Sequence, residues 1–267
     1  MSWWGKIIGG TFGFMLGGPL GAMLGAAVGH NFDNGLTGSP TSSSHGGGPN
    51  QERIQSAFFT TVFSVMGHVA KADGRVSEDE IAMARSVMQQ MSLDQNQTRV
   101  AMDLFNQGKH ADFVLDPVIT QFRKECHRRR TLLQMFLEIL LHAAYADGVL
   151  HRDEEALLKD ISAKLGFSDA HFQQLEAMVR AQRFFTGGGQ PGQPPPAELL
   201  TDAYALLGVQ PSNSEAEVKK AYRRMMSQHH PDKLMAKGLP EEMVKLATQK
   251  TQEIKAAYDL IKDNRTR

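Results

Sequence analysis

The chain has 267 residues, 41% of them apolar and 22% charged, and its 29 basic and 29 acidic side chains cancel to a net charge of zero. That balance excludes electrostatic binding of nucleic acid by the whole chain, and the length leaves room for more than one independent core. The one cysteine, Cys126, excludes an intramolecular disulfide framework and agrees with a reducing compartment.

After a short tail, residues 1–6, the stretch 7–29 holds no Asp, Glu, Lys, Arg or His. At about 1.5 Å per residue this suffices to cross a hydrocarbon core of roughly 30 Å, and the stretch is predicted to be a single transmembrane helix. Glycine recurs at every fourth position from Gly5 to Gly29. Without side chains to hold a neighbouring backbone away, Gly9, Gly13, Gly17, Gly21 and Gly25 form overlapping small-xxx-small motifs that point to a homodimer. Two alternatives stand beside this reading. Gly18-Pro19 marks a possible kink, and Lys6 followed by apolar residues and Ala26-Ala27 fits a cleaved signal peptide loosely.

Residues 30–50 and 185–198 are Gly-, Pro-, Ser- or Gln-rich and lack the apolar content to fold, so they are read as linkers around a middle domain of residues 51–184. That domain repeats itself at an offset of 74 residues: Val65, His68, Asp73 and Gly74 align with Ile139, His142, Asp147 and Gly148. Each copy reads as an apolar helix, an Asp-Gly turn and a second helix, with a capping box from Ser77 and Glu80 in the first. Further helices are expected over Arg99–Gln107 and Phe113–Arg123, completing an all-helical bundle. The helix, turn and acidic-helix pattern resembles TerB-like domains of the tellurite-resistance type.

Asp73 and Asp147, with Glu78, Glu80, Asp153, Glu154 and Glu155, are the candidate oxygen ligands for a hard cation. Asp-Gly is also a common turn pair, and acids in a first helical turn favour the dipole, so no metal and no cofactor are expected. His68 and His142 are read as core residues. Lys124 and Arg128–Arg130 are read as an exposed helix end, with acidic lipid as the other possible partner.

In the tail, residues 199–267, a short helix over Asp202–Leu207 is stopped by Gly208, and Ser214 with Glu217 forms a capping box that starts a second helix. Val218, Ala221, Tyr222 and Met225 make its apolar face; Lys219, Lys220, Arg223 and Arg224 make a basic one. Pro231 cannot donate a backbone hydrogen bond and biases His230 away from helical angles, so the second helix must stop there and display His230, Pro231 and Asp232 on a loop. A third helix after Pro240, with Met243, Leu246, Ile254, Ala257, Tyr258 and Ile261 inward, closes one small core.

Together with Tyr204, Leu207 and Gln252-Glu253-Ile254, these residues resemble the J-domain of DnaJ-type co-chaperones. The resemblance implies that His230, Pro231, Asp232 and the basic face dock on a DnaK-type chaperone and stimulate its ATP hydrolysis. The order of parts, a glycine-laddered span, a TerB-like domain and a C-terminal J-domain, resembles bacterial membrane-anchored DnaJ-like co-chaperones nearly end to end. It departs from general DnaJ proteins in lacking a cysteine-rich zinc module and a Gly/Phe segment. The resemblance implies an inner-membrane location, dimerisation through the span and a role in envelope or capsule responses.

Lys6 taken alone places the N-terminus in the cytosol. A J-domain is useful only where ATP and its chaperone are, so the N-terminus is expected in the periplasm and the rest in the cytoplasm. A rival reading makes the chain a membrane-anchored sensor whose middle domain binds a cation or ligand. No nucleotide loop or nucleophile elbow is present to support an enzyme.

Overall fold

The computed structural model describes residues 16–33, 49–72, 78–91, 93–145, 148–186 and 197–266, and among these there are twelve α-helices and no strand. The middle domain is wrapped around α2 (Pro49–Val69). Ile54, Phe58, Phe59, Val62, Phe63 and Val65 are all fully buried on one side, and Ser56, Thr60, Thr61 and Ser64 are equally buried on the other, so this helix is enclosed all round. The enclosing helices are α4 (Gln95–Lys109), α5 (Leu115–Glu125) and α6 (Arg130–Ala144). The Phe122 ring lies edge-on to Phe58 at 5.8 Å and 4.7 Å from Phe136, tying α2, α5 and α6 together.

The duplication is visible as two helix pairs: α2 with α3 (Glu78–Gln90), and α6 with α7 (Arg152–Leu165). The two predicted intervening helices are α4 and α5. Between the pairs, Arg53 on α2 makes a two-pronged bond to the Glu125 carboxylate, 2.7 and 2.6 Å. Then α8 (Asp169–Thr186) closes the domain and leads towards the tail.

The N-terminal apolar stretch is described from Leu16 onward. Gly17 and Gly18 have φ of +58° and +61°, so the chain turns sharply just before α1 (Gly18–Asp33). This interrupts the continuous helix predicted over 7–29, because two residues without Cβ occupy the left-handed region at no steric cost. In α1, Leu20, Leu24 and Ala27 are buried against α4 and α5. The Gln121 side chain caps the break: it accepts from the Leu20 amide at 3.0 Å and donates to the Gly17 carbonyl at 2.9 Å. Of the predicted dimerisation residues, Gly9 and Gly13 lie outside the described residues, Gly21 is buried, and Gly17 and Gly25 face open space. Among the described residues no helix is long and apolar enough to cross a membrane.

The tail folds into α9 (Ala197–Leu207), α10 (Glu215–His229), α11 (Pro231–Ala236), a 3-10 turn at Glu241–Met243 and α12 (Val244–Arg265). Gly208, φ +65°, stops α9 as expected. Leu206, Leu207, Val218, Met225, Ile254 and Ile261 form a core of the tail's own, to which Met178 of α8 contributes. The expectation of one small closed core holds for only half of the tail. Leu234, Leu239, Met243 and Ala247 pack instead into the core of the middle domain, because α9 and α10 cover the far part of α12 and leave its first turns and the preceding loop uncovered.

Candidate functional site

Ser214 starts α10 with the predicted reciprocal cap: its hydroxyl accepts from the Glu217 amide at 3.3 Å, and its own amide donates to the Glu217 carboxylate at 2.7 Å. The Ser214 amide, and then its hydroxyl donating to the same carboxylate at 2.9 Å, hold the Glu217 carboxyl below its ordinary pKa. Val218, Ala221 and Met225 are buried, which leaves Lys219, Lys220, Arg223 and Arg224 exposed along one side, as predicted. Tyr222, between the two faces, stacks on Tyr258 of α12 at 4.3 Å and 17°, fixing the rotation of the basic helix.

The helix ends at His229, and His230 is extended, with φ −61° and ψ 123°. Pro231 does not continue into an open loop, however. It is the first residue of α11, a position where the missing amide is no loss, and His230 is the N-cap of that short helix. The His230 Nδ1 accepts from the Asp232 amide at 3.2 Å, so Nε2 carries the proton of the neutral ring and is the atom free to donate outward. The His230 and Asp232 side chains are 48% and 80% exposed. Lys233 is tied back to Ser227 Oγ at 2.6 Å. The result is a rigid corner with an imidazole donor and a carboxylate, beside a strip of four cations. Such a surface can pair with an arginine and meet an acidic face of a partner.

Directly behind the corner lies a group that sequence reasoning missed. Glu138, fully buried on α6, has His229 Nε2 at 3.7 Å and Lys250 Nζ at 3.5 Å, and accepts from the Gln134 amide at 3.0 Å. Burial opposes ionisation of this carboxyl, but His229, Lys250, Gln134 and His142 together hold its pKa down to about 2. Burial also pushes the His229 imidazole below its ordinary value, against the upward pull of Glu138. The charged partner of Glu138 at neutral pH is therefore Lys250. The available signal was a lone carboxylate inside the apolar run Leu132–Leu141.

The other predicted groups do not converge with this corner. Asp73, Asp147 and Ser77 lie outside the described residues. Glu155 pairs with Lys159 at 2.5 Å, and Glu154 accepts from the His151 amide at 3.1 Å, both at the start of α7. Among the described residues no three His, Cys, Asp or Glu side chains are grouped so as to hold a metal ion. His68 is half-buried against Phe113, ring centroids 4.9 Å apart, and burial lowers its pKa. Lys124 and Arg128 are exposed at the α5–α6 corner, while Arg130 lies over the Phe167 ring at 4.8 Å.

Three family models match in the expected order. Residues 1–39 match the co-chaperone DjlA transmembrane domain, residues 60–177 the tellurite resistance protein TerB, and residues 202–267 the DnaJ domain. The chain is similar along its length to co-chaperone protein DjlA of Photobacterium profundum, 45% identical over 97% of this chain and 98% of the relative. It is likewise similar to DjlA of Coxiella burnetii, 45% identical over 100% and 99%, and of Vibrio cholerae, 46% identical over 98% of each. No solved structure matches it. With the three family models matched in this order and full-length relatives at 45% identity, the chain belongs to the DjlA co-chaperone family.

Proposed function

We propose that this chain is a membrane-anchored co-chaperone that accelerates ATP hydrolysis by a DnaK-type chaperone. The observation that carries the reading is the corner at Pro231, with His230 and Asp232 exposed, set beside the exposed Lys219, Lys220, Arg223 and Arg224 strip on one rigid helix pair. The four cations steer encounter with an acidic partner surface, and the corner supplies a directed acceptor and donor once contact is made. Neither needs to reach the nucleotide, since what is offered is a contact that favours the hydrolysing conformation of the partner.

The anchor in this reading is residues 7–29, in the bacterial inner membrane, with the N-terminus periplasmic and the tail cytoplasmic. Two copies associate through Gly9, Gly13, Gly17, Gly21 and Gly25. Insertion takes α1 off the middle domain, because Leu20 and Leu24 cannot be buried against α4 and α5 and in lipid at once. The downstream role is regulation of envelope or capsule responses. Adding the full chain, held in nanodiscs, to a DnaK-type chaperone tests the core of the proposal: its ATP hydrolysis accelerates, and an unchanged rate would overturn the reading.

A further inference from the structure

We infer that Glu138 of the middle domain is a positioning residue for the His230, Pro231 and Asp232 corner, holding the tail so that its partner face is turned outward and the corner is set in advance. The inference rests on the chaperone reading above and assigns the middle domain a part in it.

The corner has two sides. On one, His230, Asp232 and the four cations are open to solvent. On the other, Leu234 and Leu239, the residues that follow the tripeptide, are 1% and 0% exposed and belong to the core of the middle domain. Polar bonds pin the same stretch: Lys237 Nζ donates to Thr131 Oγ1 at 2.8 Å, and Gln51 Nε2 donates to the Met235 carbonyl at 3.2 Å. Glu138 stands at the centre of this contact, between the residue just before the tripeptide and Lys250 on α12. One carboxylate thus pairs with Lys250 of α12 and packs against His229 at the end of α10.

An apolar seat tolerates sliding, whereas a buried ion pair is satisfied in only one register, which is the best-attested use of such pairs. Removing the Glu138 charge leaves the Lys250 ammonium in the contact without that carboxylate, and the tail leaves its seat. With α11 and the turn after it no longer supported, the binding-competent fraction falls. A fall to about one in ten raises the half-saturating concentration about tenfold and leaves the saturated rate unchanged.

The test uses the full chain in nanodiscs. ATP hydrolysis by a DnaK-type chaperone is measured against chain concentration for wild type, Glu138→Gln and Glu138→Leu/Lys250→Met, with amide hydrogen exchange over 229–250 read on the same samples. Expected for Glu138→Gln are an about tenfold higher half-saturating concentration, an unchanged plateau and faster exchange. The double variant, which replaces both charges by apolar groups, recovers both readouts. An unchanged half-saturation, a lower one, a raised plateau, or exchange that does not move would each overturn the positioning role. If wild type itself fails to accelerate hydrolysis, the chaperone reading falls and the role with it, while the exchange difference still reports the docking.

Discussion

Gly67 of α2 and Phe105 of α4 meet with no side chain between their backbones: a Cβ on Gly67 would lie 2.0 Å from the Phe105 carbonyl oxygen. The contact is reciprocal, since a Cβ on Gly108 would lie 1.8 Å from the Ser64 carbonyl oxygen. Both obstacles are backbone, so the helices must separate to admit even a methyl group. Gly67→Ala and Gly108→Ala should each cost about 1–3 kcal/mol or more, a fall of roughly 5–10 °C in Tm. Thermal unfolding of the two variants checks this, and melting within a degree of wild type would show that the crossing is looser than described.

Cys126 is 0% exposed, and burial pushes its thiol up to about 12. The thiolate is the reactive form, so the folded chain should resist maleimide at pH 7.5 and react only as it unfolds. Stoichiometric labelling within minutes, without denaturant, would contradict the enclosure of α5 by α2 and α6.

His229 makes the seat of the tail sensitive to acid. The groups that face it are Glu138 on α6 and Lys250 on α12; beyond them His142 acts on Glu138, and Glu253 lies within reach of Lys250 and Glu138. Its folded pKa lies below the ordinary value of about 6.5, so the folded chain keeps the ring neutral. Stability is full above that value and declines as pH falls through it, because the unfolded chain takes up the proton first. Glu253, raised by burial, acts in the opposite sense: it favours the folded state below its ordinary value of about 4.5, and that gain is lost as pH rises through its higher folded value. The Tm of wild type should drop between pH 7.5 and 5.5 more than that of His229→Gln, which cannot titrate. Parallel pH profiles would remove the effect.

The glycine row should matter in the membrane and not in the chaperone reaction. Replacing Gly13, Gly17 and Gly21 by leucine would remove three small residues from the proposed dimer contact, and Gly17 at φ +58° resists a side chain in any case. Crosslinking in membranes should show less dimer, while stimulation by purified monomer stays the same. Loss of stimulation to the same degree as loss of dimer would contradict the separation of anchor from tail.

Local rules carried most of the tail. The Ser214 and Glu217 cap, the Gly208 stop and the break at His230 each depend on residues within four positions of one another, and each is found where the sequence placed it. The 74-residue offset likewise showed both helix pairs, since apolar period and turn residues repeat together. Pro231 was read as holding a loop open, although proline is equally suited to begin a helix, and only the backbone after it decides. The clasp of Glu138 by α10 and α12 was not legible, because Glu138 and Lys250 are joined by folding alone. A carboxylate in an apolar run announces that it has a partner without saying where the partner is.

The most direct measurement is single-turnover ATP hydrolysis by a DnaK-type chaperone with the wild-type chain and with His230→Gln. The substitution removes the Nδ1 cap on the Asp232 amide and the outward ring donor, and it leaves the buried faces of α10 and α12 untouched. Wild type should accelerate hydrolysis and His230→Gln should not, with both chains giving the same circular dichroism and Tm within about 2 °C, the range of a surface change. A folded His230→Gln chain that stimulates as fully as wild type would contradict the account.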